Sequence, residues 1–272
     1  MILHQTPLRP SQNQLKKWAR LNEAKFRREE GLFLVEGVKV VGELLKTDWE
    51  IEAILTLPEK RSFWEKIMPD FVLEAGLSEN SKNAPVYELT RTEWKKISQD
   101  KEPEGLMAVV LNRQEPPLPS WLKSAGSHLL IGHAIANPQN LGALIRSAHW
   151  FGFAGILLGP YSVDWTNPKV IRASMGSIFH LTVFQDVDLN VALSVIKEDY
   201  VLIGSEVRQG LAPHPLNKKA ALLLGSESHG LPEDLLEQVD ERWRIPGSSK
   251  ADSLSLPQAA AIMMYEVGRE GC

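Results

Sequence analysis

Three short stretches of this chain gather side chains and backbone that could bind a polar ligand. The first, NPQNLGALIRSAHWFG (137–152), carries Asn140, Gly142 and Arg146. The second, LLGSESHGLP (223–232), carries Leu224, Gly225, Glu227 and Gly230. The third, IPGSSKADSLS (245–255), carries Ile245, Pro246, Ser253 and Leu254. Each follows a short apolar run and leads toward helical periodicity. Small residues allow close approach of backbone to a ligand, and the amides of a helix start are good donors. Together the three loops could line a pocket for a polar molecule with an adenine-sized apolar part.

Each loop also has a purely structural reading. Asn140 could cap the helix it opens, Glu227 could cap the next one, and Ser253 could cap the last. Arg146 could pair with a surface carboxylate. Their shared position beyond apolar strands is what favours a common site.

Several chemistries are excluded by pattern. The chain has no GxxxxGK[ST] phosphate loop and no GxGxxG after a strand. GSESHG has Glu227 where a GxSxG nucleophile elbow needs serine. No HExxH spacing exists among the seven histidines, and His149 and His229 read as surface or core residues, so no metal is expected. The single cysteine, Cys272, excludes an internal disulfide framework and suits a reducing compartment, the cytoplasm. There is no apolar run long enough to span a membrane and no secretory signal pattern, so no membrane partner is expected.

The elements that must position these loops read as follows. In a 272-residue chain that is 43% hydrophobic, one or two domains with ample core are expected. Residues 13–29 predict one basic amphipathic helix. GLFLVEG (31–37), IEAILTL (51–57) and LMAVVLN (106–112) predict strands, with helices at 38–46 and around WEKI. Three prolines in NRQEPPLPS (112–120) predict a linker. Beyond it, strands at 128–134, 154–159, 200–206, 220–227 and 242–246 alternate with helices at 140–150, 167–177, 191–200 and 256–269. That alternation predicts an α/β architecture with a parallel sheet covered on both faces. Ligands in such sheets bind beyond the carboxyl ends of the strands. The expected division is 1–111, a linker at 112–121, and 122–272.

The net charge of −4 hides a basic cluster. Residues 1–28 hold Arg9, Lys16, Lys17, Arg20, Lys25, Arg27 and Arg28 against Glu23 alone. Lys16, Lys17, Arg27 and Arg28 could track a phosphate backbone, or form a solvated helix face.

The three motifs in this order resemble those of the SpoU (TrmH-like) branch of the SPOUT RNA methyltransferases. They match as Asn140-Leu141-Gly142 with Arg146, as Gly225-Ser226-Glu227-Ser228-His229-Gly230, and as Ile245-Pro246 with Ser253-Leu254-Ser255. NPKVIRASMGSIFHL (167–181) resembles the segment between the first two motifs. FLVEGVKVVGELL resembles the N-terminal substrate-binding domain of the group's rRNA ribose methyltransferases. The resemblance covers nearly the whole chain. It implies a C-terminal α/β trefoil-knot domain with a parallel sheet, plus a small N-terminal α/β domain of the ribosomal protein L30e/L7Ae kind. It also implies S-adenosyl-L-methionine as cofactor, an RNA ribose 2′-hydroxyl as acceptor, and a homodimer formed through the C-terminal domain. A separate N-terminal domain favours rRNA, of the 23S type, over tRNA. A non-catalytic RNA-binding or ribosome-assembly protein of the same fold is the alternative.

Carried over by position, Leu224, Gly225, Gly230, Ile245, Pro246, Ser253 and Leu254 would touch the cofactor, largely through backbone. Asn140, Arg146, Glu227 and Ser253 would serve catalysis. The group assigns the arginine at this place as general base, but a guanidinium holds its proton throughout the ordinary pH range. Stabilising the emerging alkoxide is the physically easier role for Arg146. The third motif usually ends in asparagine, where this chain has Ser255.

Overall fold

The structure is a computed structural model that describes residues 6–67, 78–248 and 253–269. Residues 249–252 of the third loop, and Cys272, lie outside the described residues. The chain forms two compact units. One holds Met1–Gln114 with Thr166–His180, the other Glu115–Trp165 with Leu181–Cys272.

The first unit begins with helices α1 (Gln12–Arg20) and α2 (Ala24–Glu30), strand β1 (Leu32–Glu36), helix α3 (Val38–Leu45) and strand β2 (Ile51–Thr56). Helices α4 (Arg61–Ile67) and α5 (Glu79–Lys82), strand β3 (Val86–Glu88), helix α6 (Arg91–Ile97) and strand β4 (Leu106–Leu111) follow. The sheet order is β1-β4-β2-β3, with β4 antiparallel to both neighbours and β3 parallel to β2. Alternate residues point to opposite faces. One face (Leu32, Leu34, Ala53, Leu55, Met107, Val109) buries against Leu15, Trp18 and Leu21 and against Trp94 and Ile97 of α6. Strand β3 and helix α6 were not expected. The signal for α6 is present in Thr90 and Glu93, which form a reciprocal capping box.

The single helix expected at 13–29 is two. The turn between them is held by the Asn22 side chain, which donates to the carbonyls of Ala19 (3.2 Å) and Ile97 (2.8 Å). The Arg27 guanidinium completes it, donating to the carbonyls of Leu21 and Asn22 (both 3.0 Å) and to Thr166 Oγ1 (2.9 Å). Arg27 is only 3% exposed. Its expected place among phosphate-binding cations is therefore corrected: its donors are committed inside the protein.

Thr166–His180 packs onto this unit. It forms helix α9 (Pro168–Ser174) and a short 3₁₀ turn (Ser177–His180). Arg172 pairs with Asp100. Trp49 Nε1 donates to the Phe179 carbonyl (3.2 Å), with the two rings edge to face at 5.9 Å. Gly176, at φ +91°, lies where a Cβ would come within 2.5 Å of Glu43 Cβ. Glycine is required there on both counts.

The second unit opens with helix α7 (Leu118–Ser124), which starts inside the expected linker. Pro117 sits at its N-cap and Pro119 in its first turn, positions where the missing N–H is harmless. Strand β5 (Leu129–Gly132), helix α8 (Pro138–Trp150), strand β6 (Gly155–Leu158), strand β7 (Thr182–Phe184), helix α10 (Leu189–Ile196) and strand β8 (Val201–Ser205) follow. Strand β9 (Ala220–Leu224), helix α11 (Glu233–Leu236), strand β10 (Glu241–Trp243) and helix α12 (Leu256–Gly268) complete it. Strand β7 and helix α11 were too short to stand out by periodicity. The six strands are all parallel, in the order β10-β8-β9-β5-β6-β7.

One face of this sheet (Leu129, Ile131, Leu157, Leu202, Ala221, Leu223) buries against Leu189, Ala192, Leu193 and Ile196 of α10 and Leu235 and Leu236 of α11. Helices α8 and α12 pack on each other, and α12 packs on β9. Their buried faces are Leu141, Leu144, Ile145 and Ala148, and Ala260, Met263, Met264 and Val267. The sheet is covered on both faces, as its uniformly apolar strands require.

Replacing Arg27 with alanine should cost about 2–3 kcal/mol in chemical denaturation, because Thr166 and two carbonyls lose a charged donor. The exposed neighbour Arg28→Ala should stay within about 0.5 kcal/mol. Equal, small effects would show that the Arg27 interactions hold nothing.

Candidate functional site

In a parallel sheet every strand delivers its carboxyl end to the same edge. The connections reverse direction between β5 and β9, since β5 leads outward to β6 and β7 while β9 belongs with β8 and β10. Such a switch point leaves a crevice between the two diverging loops. The first two motifs lie in those loops.

After β5 the chain turns into α8 through Asn137, which caps the helix. Its side chain accepts from the amides of Gln139 (2.9 Å) and Asn140 (3.4 Å), and Pro138 occupies the first helical position. The expected alternative, Asn140 as cap, is thereby excluded. Freed from that role, the Asn140 amide donates through Nδ2 to Glu227 Oε1. This one contact ties the loop after β5 to the loop after β9.

The second loop closes on itself. Gly230 N donates to Ser226 O (2.9 Å) and His229 N to Ser226 Oγ (3.2 Å). Gly230 adopts φ +69°, and a Cβ on Gly225 would sit 2.0 Å from the Gly230 carbonyl carbon. The two glycines are therefore required for different reasons, one for φ and one for close approach. The closed turn leaves Glu227 exposed at its tip. Helix α11 starts at Pro232 without a side-chain cap, so capping by Glu227 is also excluded. At the base, His133 N donates to Leu224 O (2.8 Å), joining the ends of β5 and β9.

The third loop leaves β10 through Arg244, whose amide donates to Leu211 O (2.8 Å). Ile245 is half-buried and Pro246 exposed. Ser253 and Leu254 are exposed, Leu254 at 46%. Ser255, not Ser253, caps α12: its N–H and hydroxyl both donate to the Gln258 side chain (3.3 and 3.0 Å). Ser255 therefore does structural work that serine performs as well as asparagine. The Ser253 hydroxyl has no hydrogen bond among the described residues.

Arg146 is exposed on α8 and, among the described residues, makes no hydrogen bond or ion pair. No such contact joins it to Asn140 or Glu227, six positions in a helix being well off one face. Of the expected basic residues, Lys16 and Arg28 are exposed. Lys17 is held by Glu52 at 3.0 Å. Arg20 stacks on the Phe26 ring at 3.5 Å, a cationic and aromatic pair that spacing alone did not mark. Asn137 was also missed, although Asn-Pro before an apolar helix is a start signal. Burial lowers the pKa of the His128 imidazole, whose Nδ1 accepts from Ala220 N (3.0 Å). Among the described residues no cluster of His, Cys, Asp or Glu could hold a metal ion.

A parallel α/β unit with a polar pair at its switch point has the architecture in which α/β domains place ligands. Residues 127–265 match the model of the SpoU rRNA Methylase family, and residues 12–108 match an MRM3-like substrate binding domain. A 23S rRNA (guanosine(2553)-2′-O)-methyltransferase, RlmP of Bacillus subtilis, is 30% identical over 93% of this chain and 95% of its own. The structure of a protein assigned to the TrmH family of RNA methyltransferases from Porphyromonas gingivalis superposes with TM-score 0.79 at 28% identity, covering 97% of this chain and 100% of that one. An RNA 2′-O ribose methyltransferase structure superposes with TM-score 0.71 at 27% identity, over 96% and 97% of the two chains. The chain belongs to the SpoU rRNA methylase family.

Gly225→Ala should lower stability by about 1–3 kcal/mol, since the new methyl meets backbone that cannot rotate away. Ser228→Ala, at the exposed tip, should change it by less than about 0.5 kcal/mol. Thermal or chemical denaturation of both variants checks this; a neutral Gly225→Ala would mean the closed turn is not the native one.

Proposed function

We propose that this protein transfers a methyl group from S-adenosyl-L-methionine to a ribose 2′-hydroxyl of 23S-type rRNA. The observation that carries the reading is the Asn140–Glu227 bond, which couples the two motif loops at the switch point of the parallel sheet. Similarity to RlmP over nearly the full length of both chains supports the same substrate class.

The residues present fit the cofactor. Leu224 ends β9 and Gly225, without a side chain, packs its backbone closely against Gly230, while Ile245 is half-buried and Pro246 and Leu254 keep apolar surface exposed beside polar loops. That combination suits an adenosine: a flat apolar slot and a few amide partners. Gly230 and the Ser253 hydroxyl complete the set. When bound, the cofactor supplies the electrophilic methyl carbon. The chain's own contribution is position and electrostatics. Asn140 and Glu227 hold the acceptor-side loops at a fixed separation. Ser253 offers its hydroxyl to the transfer site or to a substrate phosphate. Arg146, with no partner of its own among the described residues, supplies a permanent positive charge for the oxygen as its proton passes to solvent water.

The homodimer rests on the exposed faces of α8 and α12. Trp150 on α8 is 83% exposed, and Ile262 and Tyr265 on α12 are 41% and 51% exposed. Large apolar side chains gathered on packed helices mark an interaction surface. Family membership supports a trefoil-knotted backbone in the same unit and a cytoplasmic setting, where ribosomal RNA is modified. Lys16, Lys17 and Arg28 form the phosphate-facing set of the first unit.

Arg146→Ala should reduce methyl transfer from labelled cofactor to unmodified rRNA by at least ~10²-fold, as loss of one preorganised charge does, while calorimetric cofactor affinity stays near wild type. Undiminished transfer would remove Arg146 from catalysis. Neutralising Lys16, Lys17 and Arg28 together should reduce the slope of log affinity against log salt by about 2–3, roughly one per phosphate contact. An unchanged slope would place the RNA elsewhere.

A further inference from the structure

The loop after β6 presents an aromatic ring that the protein itself does not use. Gly159-Pro160-Tyr161-Ser162 is a β-turn, closed by Ser162 N donating to Gly159 O (3.4 Å). Proline restricts φ at the second position to negative values. Tyr161, at the third, has φ +65°. Negative then positive φ is the type II arrangement, whose third position calls for glycine or asparagine. Here a tyrosine occupies it. A bulky residue in left-handed backbone is an outlier that surrounding structure must enforce.

The surroundings do enforce it. Ser162 Oγ accepts from Ile135 N (3.2 Å), and Val163 N donates to Ile135 O (2.8 Å). The turn is thus bolted to the loop after β5, two residues before the Asn137 cap. Yet the side chain gains nothing in return. Tyr161 is 87% exposed and, among the described residues, makes no ring contact or hydrogen bond. The backbone is held in an unfavourable conformation, and the ring stands free at the carboxyl edge of the sheet.

Position narrows what the ring is for. Strands β9, β5 and β6 are consecutive in the sheet. Their loops carry Glu227, Asn140 and Tyr161 in that order along one edge. We propose that Tyr161 is a substrate-contacting residue that stacks against a nucleobase of the RNA next to the methylated ribose; this rests on the function proposed above. Single-stranded RNA is recognised by splaying bases onto aromatic faces, and stacking tolerates any base. The ring is a platform preset by the turn, so little ordering is needed on binding. A second copy of the chain is the less favoured occupant, because the exposed apolar faces of α8 and α12 already provide that surface.

Equilibrium binding of the full chain to unmodified rRNA, with methyl-transfer kinetics on the same RNA, tests this. Tyr161→Ala should weaken RNA affinity and raise KM by about tenfold to a hundredfold, the range for loss of one stacked base. Its kcat should stay within about twofold and Tyr161→Phe should restore wild-type values. Tyr161→Gly separates ring from fold: it suits the left-handed φ, so its Tm should not fall, yet RNA affinity should drop as in the alanine variant. Affinity unchanged in Tyr161→Ala and Tyr161→Gly would overturn the proposal. So would an altered oligomeric state of Tyr161→Ala by light scattering, which would assign the ring to a partner copy. If wild type transfers no methyl group, the functional reading fails by itself, and the binding comparison still decides the role of Tyr161.

Discussion

The parallel direction of all six strands in the second unit is the constraint on which the site depends. Parallel strands cannot be joined by tight hairpins, so each connection must cross a face of the sheet before the next strand begins. Every strand then ends at the same edge. Loops separated by 87 positions, those of Asn140 and Glu227, become neighbours because β5 and β9 are adjacent in the sheet. The cost is that both faces must be apolar and covered, which the buried rows of β5, β6 and β9 and their helices satisfy.

Within that edge, local chemistry decides what each loop can present. Gly225 and Gly230 fold the second loop into a closed turn and push Glu227 outward. Asn137 takes the capping duty at α8 and leaves the Asn140 amide for Glu227. Ser255 takes it at α12 and leaves Ser253 uncommitted. In both helices one polar residue satisfies the backbone so that another, two or three positions away, is available to a ligand. A helix start that serves binding needs this division, because its free amides would otherwise compete for the functional side chain.

The first unit shows the opposite use of a charged group. Arg27 is buried, and its guanidinium joins the break between α1 and α2 to Thr166, at the edge of a segment far away in sequence. Arg172, in the helix of the same segment, pairs with Asp100. A buried charge of this kind is stable only where its donors are satisfied, and its loss is costly for that reason. Charge counting over residues 1–28 could not separate Arg27 from its exposed neighbour Arg28. Both occupy one basic run, and only the packing of Thr166–His180 distinguishes them.

The sequence by itself determined the α/β class, the parallel sheet, most strands and the three loops, because apolar period and glycine placement are local properties. It also put Asn140 and Glu227 in loops at the carboxyl ends of strands, which the structure joins by a hydrogen bond. The short elements β3, β7, α5 and α11 escaped it, since three or four residues carry too little periodicity, and the seven-residue α6 was marked only by its capping box. The prolines at 117 and 119 were ambiguous, because a helix start and a linker both accept residues without an amide proton. Only the tertiary structure decided which asparagine caps and which one reaches across, that Arg27 is interior, and that Tyr161 stands on left-handed backbone with its ring in solvent. These depend on which distant segment fills a given space, and hydrogen-bond partners and burial are set by that packing, not by neighbours in the chain.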